Sequence, residues 1–228
     1  MAFTPTLPTL AELAANLARV EERIHAACVR AGRPRDSVLL LAVSKVFPAA
    51  AIVAAHQLGL RDFGENYVQE MERKAPALAG LDARFHLIGH LQSNKSSRAA
   101  ELFNVIQTVD SVKLAGRLAA AGRPLEVMIE VKLSEEESKS GAPPEQVPAL
   151  VEAIRALPGL TLTGLMTMPP WSEDPAAARP YFARLRRLAE AHGLAQLSMG
   201  MSHDLEAAIE EGATIVRVGT ALFGSRRG

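Results

Sequence analysis

The chain has 228 residues, of which 48% are apolar, and its 25 lysines and arginines are balanced by 25 aspartates and glutamates. This composition is that of a globular protein with a sizeable core, and it excludes a disordered chain. The balanced charge argues against nucleic-acid binding, which needs a basic surface.

Neither a disulfide nor a membrane segment is indicated by the sequence. The single cysteine, Cys28, excludes an internal disulfide. The first residues lack a basic stretch followed by an apolar one, and no apolar run approaches membrane-spanning length. We therefore expect a cytoplasmic protein that does not bind membranes.

The first predicted element is a helix over about residues 9–32. Thr9 and Glu12 have the spacing of a capping box. Gly32 and Pro34 then end the helical pattern. The apolar residues between these signals recur at helical spacing: Leu13, Leu17, Val20, Ile24 and Cys28.

Eight strand-like runs follow, nearly every one succeeded by a helical pattern. The strands are predicted at 38–43, 61–63, 85–88, 105–109, 125–131, 160–166, 195–198 and 214–218. The helices are predicted at 49–58, 66–78, shortly after 94, and at 111–121, 144–157, 176–192 and 203–211. This alternation predicts a single α/β domain, a (β/α)8 TIM-type barrel over about residues 38–224 behind the N-terminal helix. An open doubly wound sheet is the alternative, because three of the predicted strands are short.

Lys45 follows the first strand directly, at the edge of the sheet where ligands collect in α/β folds. A lysine held partly out of water there has a lowered pKa and readily forms a Schiff base. The alternative is a solvated lysine that merely follows a strand.

The last two predicted loops, after strands seven and eight, indicate a phosphate site. Gly200 and Gly219 allow the backbone to approach a ligand, and Ser198, Ser202 and Thr220 carry hydroxyl donors.

Arg217 lies within an apolar strand, where an arginine is rarely buried without partners. It either forms a structural ion pair, for which Asp110 and Glu130 are candidates, or directs its charge into the barrel mouth.

Two other combinations of polar residues are rejected as sites. Residues 202–204 include the residue types of a hydrolase triad, but sequence neighbours cannot align as nucleophile, base and orienting acid. His86 and His90 flank a strand end and have no evident third ligand, so no metal is expected.

Five segments together resemble the pyridoxal phosphate homeostasis proteins, which are relatives of the N-terminal barrel of alanine racemase. They are residues 42–45, 63–70, 86–95, 164–166, and 198–205 with 217–220. The resemblance covers nearly the whole chain.

The resemblance implies a site for pyridoxal 5′-phosphate (PLP) in which Lys45 forms the Schiff base and Arg217 faces the pyridine nitrogen. The phosphate would be held by Ser198, Gly200, Gly219 and Thr220, and the ring site would be lined by Asn66 and Met166. His86 and residues 92–95 would help to shape the mouth.

The chain departs from the family pattern in two places. Val46 and Phe47 stand where a threonine or lysine often follows the Schiff-base lysine, and Lys132 stands where an asparagine is frequent. Both departures bear on the polarity of the mouth.

The implied function is that of a PLP-binding protein in PLP, vitamin B6 and amino-acid homeostasis, without robust catalysis. An arginine opposite the ring nitrogen makes the ring a weak electron sink. Alanine racemases take a catalytic tyrosine from a further domain, whereas this sequence stops at Gly228 with only Tyr67 and Tyr181. A compact PLP-dependent amino-acid racemase is the alternative. Expected partners are PLP-dependent apo-enzymes, and a monomer is favoured over a dimer.

Overall fold

Eight parallel strands form a closed barrel in the computed structural model, which describes residues 7–134, 136 and 140–224. The strands are β1 Leu39–Val43, β2 Asp62–Glu65, β3 Arg84–Leu87, β4 Val105–Val109, β5 Leu125–Glu130, β6 Leu160–Met166, β7 Gln196–Met201 and β8 Ile215–Val218. Strand β8 pairs with β1 and closes the barrel, with Arg217 in register with Leu41. The predicted (β/α)8 barrel is confirmed, and the open sheet is wrong.

Helices surround the barrel on the outside. They are α1 Leu10–Arg30, α2 Ala49–Gln57, α3 Val68–Lys74, α4 Ser96–Leu102, α5 Val112–Ala119, α6 Val147–Arg155, α7 Arg179–Ala191, α8 Leu205–Glu210 and α9 Thr220–Phe223. None of the helices in the described part of the chain is long and apolar enough to cross a membrane.

Helix α1 begins with the predicted capping box. The Thr9 amide donates to the Glu12 carboxylate over 2.8 Å, and the Glu12 amide donates to the Thr9 hydroxyl over 3.2 Å. Further along the helix, Arg23 forms two hydrogen bonds with Glu206, at 2.6 and 2.8 Å, and a third with the Ser202 carbonyl. These contacts fasten α1 to α8 and to the loop that follows β7.

Alternation along the strands separates an outer core from the barrel interior. Leu40 and Ala42 of β1 belong to the large apolar cluster shared with the helices. Leu41 and Val43 belong to a small separate cluster with residues of other strands, including Ile88. The interior cluster is small because polar side chains fill much of the remaining barrel interior.

Strand β7 runs three residues further than predicted, from Gln196 to Met201 instead of ending at Ser198. Its pairing with β8 shifts register between Ser198 and Met201, which marks a bulge. Gly200 has a φ of +88°, and a Cβ there would lie 2.4 Å from the Ala208 Cβ. Glycine is therefore required at position 200 because α8 packs closely against the strand.

Candidate functional site

A cavity of about 230 Å³ lies at the carboxyl ends of the strands. Five of the eight predicted site residues line it: Lys45, Asn66, Arg217, Gly219 and Thr220. The barrel brings them together because they follow or end strands β1, β2 and β8, which are neighbours in the closed sheet.

The other three predicted residues are buried beside this cavity and do not line it. Ser198 and Met166 have no exposed surface, and Gly200 lies inside the bulged end of β7. The positions that line the cavity instead are Ser202, the first residue after β7, and Met168. Because β7 extends to Met201, the loop after it begins three residues later than the sequence predicted, whereas β6 ends at Met166 as predicted.

Two aromatic side chains at the mouth were not predicted as site residues. The Trp171 indole and the His203 imidazole both line the cavity and stack with ring centroids 6.3 Å apart. Trp171 is 73% exposed. An exposed tryptophan in the loop after β6 is a signal of a binding surface.

A second cavity of about 500 Å³ adjoins the first and shares Asn66, Ile88, Met168, Trp171 and Met201 with it. Its remaining lining includes Glu130 and Lys132. The departure at position 132 therefore places a cation in the mouth, next to the cavity that contains Lys45.

A hydrogen-bonded chain of side chains crosses the barrel interior below the cavity. Arg217 donates to the Ser198 hydroxyl over 2.8 Å, and Ser198 donates to Gln107 Oε1 over 2.6 Å. Gln107 Nε2 contacts His86 Nδ1 at 3.0 Å, and His86 Nε2 contacts Asp62 Oδ1 at 2.9 Å. The chain fixes the guanidinium from below, and Ser198 and His86 belong to it rather than to the cavity wall.

Arg217 is buried, and its second donor contact is with the Thr167 carbonyl, at 2.8 Å. Burial lowers the pKa of the guanidinium to about 10, while the charges of Asp204 and Glu130 act in the opposite direction. The group therefore carries a positive charge at neutral pH. Hydrogen bonds in the barrel interior hold it, rather than the ion pair with Asp110 or Glu130 that the sequence allowed.

Glu130 ends β5 beside Arg217 and is 3% exposed. Burial raises the pKa of its carboxyl to about 7; the Asp110 charge adds to this effect, and Arg217 opposes it. Its Oε2 is buried without a hydrogen-bond partner among the described residues. The mouth thus contains a carboxyl that changes charge near neutral pH.

Metal ligation is not indicated: among the described residues, no group of three or more His, Cys, Asp and Glu side chains is placed to hold an ion.

Comparisons with known proteins agree with this geometry. The family of the alanine racemase N-terminal domain matches residues 9–227. A pyridoxal phosphate homeostasis protein of Pseudomonas aeruginosa is 52% identical over 223 residues, which are 95% of this chain and 97% of the relative. One of Aquifex aeolicus is 44% identical over 221 residues, 92% of this chain and 97% of the relative. The solved structure of PipY from Synechococcus elongatus with PLP bound is 39% identical, with a TM-score of 0.81 over 93% of this chain and all of that one.

The raised pKa of Glu130 makes stability depend on pH. In the unfolded chain a glutamate loses its proton above about pH 4.3, whereas folded Glu130 keeps its proton up to about pH 7. The folded state therefore binds more protons between these values, and the free energy of unfolding falls as the pH rises through this window. Glu130→Gln has no such titration. Between pH 5 and pH 8, we expect the free energy of unfolding of Glu130→Gln to rise by about 2 kcal/mol relative to that of the wild type.

Urea denaturation of both proteins at the two pH values, without added ligand, measures this difference. A constant cost of the amide cancels in the comparison. If the free energies of unfolding of wild type and Glu130→Gln differ by the same amount at both pH values, the raised pKa of Glu130 is contradicted.

Proposed function

Because the chain belongs to the alanine racemase N-terminal domain family, and within it to the pyridoxal phosphate homeostasis proteins, we propose that it holds PLP at the barrel mouth. The role we propose is in PLP, vitamin B6 and amino-acid homeostasis in the cytoplasm, without robust catalysis. The observation that carries the proposal is the convergence of Lys45, Asn66, Arg217, Gly219 and Thr220 on one cavity.

The residues at the mouth fit this group. The Asn66 Oδ1 is buried without a hydrogen-bond partner among the described residues, so a polar ligand in the cavity would satisfy it. A Cβ at Gly219 would lie 3.2 Å from the Val43 carbonyl oxygen, so a side chain there would be crowded. The half-buried Lys45 supplies the amine.

Lys45, on the cavity wall, would supply the amine, and bound PLP would supply the aldehyde that reacts with it. We assign the phosphate to the part of the cavity that is lined by Ser202, Gly219 and Thr220. Of the four phosphate ligands suggested by the sequence, Gly219 and Thr220 are kept. Ser202 takes the place of Ser198, because the Ser198 hydroxyl is engaged by Arg217 and Gln107.

Arg217 supports a holding role rather than turnover. A guanidinium that is already protonated cannot donate its proton readily to a ring nitrogen. The ring then withdraws electrons weakly and stabilises a carbanion poorly. We propose PLP-dependent apo-enzymes as recipients of the cofactor and a monomer as the acting form.

A compact amino-acid racemase is the second candidate, and Glu130 is the observation that favours it. A carboxyl with a pKa of about 7 beside the mouth is matched to proton transfer at neutral pH. Racemisation also requires a second base on the other face of the substrate. Neither mouth cavity has a tyrosine among its described lining residues.

The attachment point is tested by trapping. Protein incubated with PLP and then with borohydride is expected to carry the cofactor irreversibly on the Lys45 peptide, and Lys45→Ala is expected to carry none. Peptide mapping by mass spectrometry gives the position. A label on Lys132, which also lines the mouth, or on Lys95 would overturn the assignment to β1.

Proton exchange separates the holding role from the racemase. L-alanine in heavy water with the PLP-loaded protein is expected to lose its α-proton no faster than with free PLP, because the PLP ring beside Arg217 is a weak electron sink. NMR of the alanine α-position follows the exchange, and a chiral assay follows D-alanine. Rapid α-deuteration with D-alanine formation that is abolished by Glu130→Gln would instead establish the racemase.

A further inference from the structure

Lys45 occupies the second position of a four-residue turn between β1 and α2. The Phe47 amide donates to the Ser44 carbonyl over 3.1 Å, which closes the turn. Val46, at the third position, has a φ of +67°, the only positive value for a non-glycine residue in the described ranges. A turn of type II requires a positive φ there and usually has glycine, because a β-branched side chain is sterically strained in that conformation.

Helix α3 holds both peptide groups that flank Lys45. On one side, the Val46 amide donates to Glu70 Oε1 over 2.6 Å. On the other side, the Lys74 ammonium donates to the Ser44 carbonyl over 3.0 Å. Glu70 and Lys74 are one helical turn apart and pair with each other at 2.7 Å. The strained turn is thus bound at two points to a single short helix.

The end of β2 anchors this arrangement. Glu65 is fully buried, pairs with Lys74 at 2.7 Å and accepts a hydrogen bond from the Ser44 hydroxyl, also at 2.7 Å. Burial raises the pKa of Glu65, and the Lys74 charge opposes that effect. Removing a partner from a buried ion network is costly, since the remaining charge loses its compensation. The turn therefore cannot move away from α3 without breaking contacts of this buried network.

We propose that Glu70 and Lys74 are positioning residues for Lys45: they hold the strained turn so that the lysine side chain enters the cavity. Lys45 lines that cavity, whereas Glu70, Lys74 and Val46 do not. Their effect must therefore pass through the backbone of the turn. The inference rests on the proposed Schiff base at Lys45 and adds the groups that orient it.

Two ligands distinguish positioning of the lysine from general support of the site. PLP condenses with Lys45, whereas pyridoxine 5′-phosphate has the same ring and phosphate but an alcohol in place of the aldehyde. Glu70→Ala is expected to weaken PLP binding about tenfold, the order of the backbone strain that the hydrogen bond offsets. Binding of pyridoxine 5′-phosphate is expected to change less than about twofold, since phosphate and ring contacts remain.

The chain offers a matched control and two rescues. Glu72→Ala removes an exposed glutamate of the same helix, paired with Arg98, and is expected to leave both affinities unchanged. Glu70→Gln keeps an oxygen that can accept from the Val46 amide and is expected to recover most of the loss. Glu70→Ala with Val46→Gly is also expected to recover PLP binding, because glycine adopts the positive φ without steric cost.

Should Glu70→Ala fail to fold, Glu70→Asp replaces it, because a side chain one methylene shorter cannot reach the Val46 amide in the same way. The same selective loss of PLP binding is expected. Equal losses for the two ligands, no loss for either, or no recovery with Val46→Gly would each overturn the positioning role.

Lys45→Ala separates this inference from the function on which it rests. If PLP binding is weakened in Lys45→Ala and unchanged in Glu70→Ala, the Schiff base at Lys45 stands and only the positioning role is overturned. Unchanged PLP binding in Lys45→Ala would overturn both.

Discussion

The Arg217 guanidinium lies inside the barrel, 3% exposed, and a cation there is stable only if surrounding groups replace its water. Ser198 and the Thr167 carbonyl accept its hydrogen bonds, and the charges of Asp204 and Glu130 stabilise its protonated form. Ser198, Thr167 and Asp204 are held in turn by hydrogen bonds with Gln107, Val131 and Met201 respectively. The polar interior of the barrel is organised around this one charge.

Two consequences for the mouth follow from that buried charge. The Ser198 hydroxyl bonds to Arg217 and to Gln107, in the chain that leads to His86, so we expect Ser202 rather than Ser198 to contact a ligand. Arg217 itself borders the cavity with a charge that persists at neutral pH. A cofactor ring nitrogen placed beside it would meet a cation rather than a carboxylate. We therefore expect the site to retain PLP better than it activates substrates.

The barrel could be predicted from the sequence because apolar strands and helices alternate. Lys45 could be predicted as a site residue because it comes just after the end of a strand. The predicted end of β7 was wrong because Gly200 resembled a loop residue. In the structure, Gly200 lies in the bulged strand and allows α8 to approach it closely. The interior chain could not be predicted either. Ser198 and Gln107 are 91 positions apart in sequence, and no local pattern marks two such residues as partners.

We propose that Arg217 keeps the ring nitrogen of bound PLP unprotonated. Nitrogen-15 NMR of the protein reconstituted with PLP labelled at that nitrogen tests it directly. We expect the resonance of a neutral pyridine at neutral pH in the wild-type protein, and a shift toward the pyridinium resonance in Arg217→Glu. A pyridinium resonance in the wild-type protein would contradict it.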